Sequence, residues 1–102
     1  MEEETVELGG NIFLTGFNVV EPGMLVVVKK IVGTYAKKFS ENIKGFENLS
    51  LHLKLVHERE TSEKYELHVK LMADGKPITS EMTDRNLFVI LDAVLKKIEE
   101  QV

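Results

Sequence analysis

The sequence predicts an α+β domain of two layers, in the order β-α-β-β-β-α, with a four-stranded sheet and two helices packed on one face. Three observations predict it. Leucines alternate with polar residues from Leu49 to Val56, and apolar residues alternate again from Tyr65 to Leu71, the two-residue period of half-buried strands. Asp74-Gly75 follows the second run, and both residues tolerate the positive φ that a two-residue hairpin turn needs. On either side of this strand block lie apolar residues spaced by three and four, the period of an amphipathic helix.

In chain order, residues 1–11 read as a flexible acidic tail that includes Gly9-Gly10. The single domain then spans residues 12–102, a length too short to divide into two cores. Residues 12–19 (IFLTGFNV) are rich in β-branched and aromatic types and read as the first strand, with Gly16 marking a bulge or a close backbone approach. Pro22 opens a helix, because its missing N–H would be unpaired there anyway. The helix runs to about Ile43 on a stripe of Met24, Val28, Ile31, Val32, Tyr35 and Phe39, and Gly45 follows as a helix-ending glycine. The leucine-rich strand covers Asn48 to Glu58, residues 59–63 form a polar loop, and the Tyr65–Leu71 strand returns. Pro77 to Met82 is a short fourth strand, its proline suiting an edge. Thr83 or Asp84 caps the last helix, whose stripe is Leu87, Ile90, Leu91, Val94, Leu95, Ile98 and Val102.

Composition narrows the function. Apolar residues make up 43%, an ordinary value for a folded domain. The absence of cysteine removes disulfides, thiolate metal sites and thiol nucleophiles, and with no apolar run near the roughly 18 residues of a membrane span, it points to a cytoplasmic protein without membrane partners. The net charge is −4, yet Glu2, Glu3, Glu4 and Glu7 supply four of the 17 acids, and the remaining 13 match the 13 bases. An anion-binding face therefore has to come from clustering.

Catalytic signatures are missing. No glycine-rich phosphate loop and no nucleophile elbow is present, so no enzyme activity, cofactor or small-molecule substrate is expected. His52 and His68 fall on the polar sides of neighbouring strands, opposite each other if the hairpin is centred near Glu60. They lack a third ligand of the usual kind, so no metal is expected, and the sheet surface reads as solvated or partner-facing. His57 lies in the charged hairpin, and Glu58, Glu60, Glu63 and Glu66 read as its solvated charges.

Two surface features remain. Lys29, Lys30, Lys37 and Lys38 lie on the first helix, Arg85 opens the last, and Lys96 and Lys97 close it; such bases either solubilise the helix layer or bind a phosphate backbone. Met24 to Val28 is a continuous apolar run, and a helix cannot bury five successive side chains. Leu25, Val26 and Val27 are therefore either an interface, as in a homodimer, or covered by the tail or first strand.

The element order, Leu14-Thr15-Gly16-Phe17-Asn18, Glu21-Pro22, Asp74-Gly75-Lys76 and the closing RNLFVILDAVLKKIEEQV together resemble the N-terminal domain of the ribosome-associated inhibitor and hibernation promoting factor family, over residues 12–102. The resemblance implies a domain that binds the small ribosomal subunit in its messenger and transfer RNA channel, contacts rRNA through basic residues of both helices, and blocks translation. Lys37 and Lys97 match basic family positions; Phe88 stands where the family often has tyrosine, and Asn86 where it often has aspartate. The chain departs from the family at Glu100, where relatives often carry arginine, and at Leu25, Val26 and Val27, which replace more polar residues. The competing expectation is a protein-interaction module that self-associates through Leu25–Val27.

Overall fold

A computed structural model describes residues 4–9, 11–59 and 62–102. Its elements are β1 (Thr5–Leu8), β2 (Ile12–Thr15), a 3-10 turn (Phe17–Val19), α1 (Pro22–Asn42), β3 (Phe46–Arg59), β4 (Ser62–Ala73), β5 (Lys76–Asp84) and α2 (Leu87–Glu100). The α+β class is as expected, but the sheet has five strands, in the spatial order β1-β2-β3-β4-β5.

The additional strand lies in the segment read as a tail. Val6 and Leu8 alternate with Thr5 and Glu7, and this short period-2 pattern pairs antiparallel with β2, Val6 opposite Leu14 and Leu8 opposite Ile12. Gly16 N–H donates to the Glu4 carbonyl at 3.0 Å and closes the pair. Gly16 itself has φ 82°, so the expected strand over residues 12–19 stops at Thr15 and turns into the 3-10 segment. β2 runs parallel to β3, with α1 as the crossover between them, and β3, β4 and β5 form the expected antiparallel meander. The 59–63 loop contracts, because Arg59 and Ser62 are themselves paired; residues 60 and 61 lie outside the described residues.

Both helices cover one face of the sheet. Leu14, Leu49, Leu51, Leu53, Leu67, Val69 and Leu71 from the strands meet Val28, Val32, Ala36 and Phe39 of α1 and Leu87, Ile90, Leu91, Val94, Leu95 and Ile98 of α2. Val102, expected in the α2 stripe, lies beyond the helix and is exposed. The α2 cap also differs. Thr83 and Asp84 are held in the β4–β5 ladder, opposite Glu66 and Tyr65. Asn86 takes the cap instead, its Oδ1 accepting from Phe88 N–H at 3.0 Å and Val89 N–H at 3.2 Å.

Two turns fix the ends of the meander. Asp74 (φ 50°) and Gly75 (φ 73°) make the hairpin that the sequence signals. Gly45 (φ 76°) lies against it: a Cβ there would meet the carboxylate of the exposed Asp74 side chain, which can move, so the positive φ is what favours glycine at this turn. No helix among the described residues is long and apolar enough to cross a membrane.

Candidate functional site

All seven bases expected to contact RNA, Lys29, Lys30, Lys37, Lys38, Arg85, Lys96 and Lys97, are exposed. They do not form one stripe. The seam between the helices is built from acid–base and polar pairs: Lys38 Nζ is 3.0 Å from Glu99 Oε2, Tyr35 Oη donates to Asp92 Oδ1 at 2.9 Å, and Lys96 Nζ lies 3.5 Å from Asp92 Oδ2. Lys38 also stands over the Tyr35 ring, 5.4 Å from its centroid. Burial, then the hydrogen bond to Asp92 and the nearby charges of Asp92 and Glu99, push the Tyr35 phenol up to about 12. At the seam, then, positive charge is already matched.

The unmatched charge sits on α1. That helix carries Lys29, Lys30, Lys37 and Lys38 against the single acid Glu41. α2 carries Lys96 and Lys97 against Asp92, Glu99 and Glu100. At 3.6 residues per turn Lys97 lies roughly 140° around α2 from Asp92, away from the seam, so Lys37 and Lys97 do not share one groove. Arg85 stands between β5 and α2 in the chain and belongs to neither helix. Among the described residues no acid pairs with Lys29, Lys30 or Lys37.

The apolar run at the start of α1 divides. Leu25 packs against the core, bordering with Val6, Leu14 and Phe17 a cavity of about 50 Å³. Val26 and Val27 stay 55% and 44% exposed. The N-terminal segment thus covers Leu25 and leaves the next two residues open. Glu4 and Lys29 border the same small cavity, which brings the acidic segment to the edge of the α1 basic surface.

Among the described residues no helix packs on the opposite face of the sheet. His52 and His68 face each other across β3 and β4, as the hairpin centre predicts. The row continues through Thr15 on β2 and Glu81 on β5. His68 Nε2 lies 2.6 Å from Glu66 Oε1, and its Nδ1 lies 2.9 Å from Glu81 Oε2. A concavity of about 630 Å³ opens here, lined in part by Thr15, His52, His68, Lys70 and Glu81. Glu66, expected as a solvated hairpin charge, and Glu81, which had no expected role, are the carboxylate partners of His68. The signal was present: the Asp74-Gly75 turn sets Ala73 opposite Lys76, and counting back along both strands brings Glu81 opposite His68.

No protein-family model and no curated protein sequence matches the chain.

Proposed function

We propose that the chain is a ribosome-associated RNA-binding domain that holds small-subunit rRNA on the outer surface of α1 and so inhibits translation or stores ribosomes. The observation that carries the reading is the segregation of charge between the two helices. α1 has four exposed lysines and one acid, while α2, the partner helix, has more acids than bases. A lysine surface of this kind binds phosphate by releasing condensed counterions and needs no cofactor. The resemblance to the ribosome hibernation family supplies the ribosome as the RNA source. Lys29, Lys30 and Lys37 are the primary contacts and Lys38 is held in reserve by Glu99. Lys96 is engaged with Asp92, and Lys97 and Arg85 are carried by α2 and the residues before it rather than by α1.

Co-sedimentation with small ribosomal subunits tests the reading. Replacing Lys29, Lys30 and Lys37 together by glutamine should abolish association while leaving the circular dichroism spectrum intact. Undiminished co-sedimentation of that variant would reject α1 as the RNA surface.

A second reading rests on Val26 and Val27. Two exposed aliphatic side chains in succession on one helix suit self-association, which would tolerate salt. Val27→Lys should then convert a dimer to a monomer in light scattering; a monomeric parent protein removes this reading.

A further inference from the structure

We propose that the uncovered face of the sheet holds a divalent transition-metal ion of the zinc class, ligated by Glu66, His68 and Glu81. The proposal is independent of the RNA reading, since α1 lies on the other side of the sheet.

The three side chains come from positions that strand geometry fixes. Glu66 and His68 are two apart on β4 and therefore point to the same side, and Glu81 is the β5 residue directly opposite His68. Their ligand atoms, one from each residue, all lie within 4.8 Å of one another. A metal bonded at about 2.0–2.2 Å to nitrogen and carboxylate oxygen needs ligand atoms somewhat closer than that. Glu81, with a side chain 69% exposed, is free to make the adjustment.

The chemistry of the imidazole points the same way. Its two nitrogens lie 2.6 Å and 2.9 Å from carboxylate oxygens of two different residues. A neutral imidazole has one N–H, so one of these contacts sets a nitrogen lone pair against an anionic oxygen. A second proton on the ring removes that repulsion, and so does a divalent ion bound at the ring nitrogen, toward which the carboxylates then turn.

Room and accessory groups are also present. The 630 Å³ concavity opens beside His68 and Glu81, and His52 stands across the strand pair from His68. Directly opposed residues of an antiparallel pair have Cβ atoms about 4.5–5.5 Å apart, close enough for a second imidazole to join the same ion. One nitrogen with two carboxylates suits zinc and its neighbours. Calcium is disfavoured, because it takes six to eight oxygens.

The test is titration calorimetry of zinc chloride into metal-free full-length protein, with the imidazole resonances followed by NMR. One ion should bind per chain at micromolar concentration, and the His68 ring signals should move on saturation. His68→Gln should weaken binding by at least the roughly 10–100-fold lost with an outer-sphere partner. Glu81→Gln, at a more exposed position, should weaken it without risk to the fold. His57→Gln should change nothing. Absence of saturable binding, retention of full affinity in His68→Gln and Glu81→Gln, or loss of binding in His57→Gln instead would each overturn the proposal.

Discussion

The pairing of Lys38 with Glu99 makes the RNA reading quantitative. Each phosphate neutralised contributes a slope of roughly −0.7 to −0.9 to log affinity against log salt. With Lys29, Lys30 and Lys37 as contacts and Lys38 held 3.0 Å from Glu99, three phosphates are neutralised. The slope should be about −2.1 to −2.7, which is a loss of about 20- to 40-fold when salt rises fourfold. Glu99→Gln removes the competing anion while keeping the side chain's size. Lys38 then becomes a fourth contact, the slope steepens to about −2.8 to −3.6, and the same salt step costs about 50- to 150-fold. The exposure of the pair, 50% and 39% for the two side chains, keeps its contribution to stability small, so the variant should unfold like the parent. The assay is co-sedimentation with small ribosomal subunits, or anisotropy with a labelled rRNA fragment, at four or more salt concentrations. Equal slopes for parent and Glu99→Gln would show that Lys38 faces no phosphate. A parent slope shallower than −1 would refute counterion release by the α1 lysines altogether.

Other expectations concern the scaffold that presents these faces. Gly45→Ala sets a methyl group against the Asp74 carboxylate at a positive φ, and should cost about 1–2 kcal/mol, read as a drop in thermal midpoint; an unchanged midpoint would mean that the α1–β3 turn relaxes freely. Asn86→Ala removes an acceptor for two N–H groups of the first turn of α2 and should cost about 1 kcal/mol in urea unfolding, with Asn86→Asp restoring most of it. Ultraviolet titration should show one of the two tyrosines ionising near 12. Asp92→Asn should bring it part of the way back toward 10, since burial is the larger cause. Because the folded value of Tyr35 is raised, its contribution to stability is complete below pH 10 and is lost as pH rises toward 12. An unshifted Tyr35 titration would place the phenol outside the seam.

The elements read correctly were those whose pattern repeats and whose turns have one chemical solution. Six apolar positions of α2 are all buried, and the alternation of β3 and β4 places Leu49, Leu51, Leu53, Leu67 and Leu71 in the core. Asp74-Gly75 specifies its own turn type. What escaped was decided by competition between neighbouring demands. Thr5-Val6-Glu7-Leu8 is a short strand pattern, and the glutamates before it make the whole stretch resemble a solvated tail. Its pairing depends on an open edge of β2, which becomes visible only once α1 has carried the chain across to β3. Thr83 and Asp84 have the side chains of caps, but their backbone is already committed to β4. The ladder therefore extends, and the cap passes to the next residue outside it with a suitable side-chain oxygen, Asn86.

The same competition governs how far a family resemblance carries to individual residues. Lys97 matches a basic family position in sequence, but a base contributes to a phosphate surface only through its neighbours in space. On α2 Lys97 lies away from the seam with the acid Glu100 three residues on, while the seam acids Asp92 and Glu99 are spent holding Tyr35, Lys38 and Lys96. Substituting Lys97→Gln alone should therefore leave the salt slope of small-subunit binding where it was, whereas Lys37→Gln alone should reduce it by one phosphate, about 0.7–0.9. A loss of equal size from both would mean that the two helices grip RNA together and that acids of the seam give way on binding. Equal indifference to both would move attention from the helix layer to the other side of the sheet, where the histidine row lies.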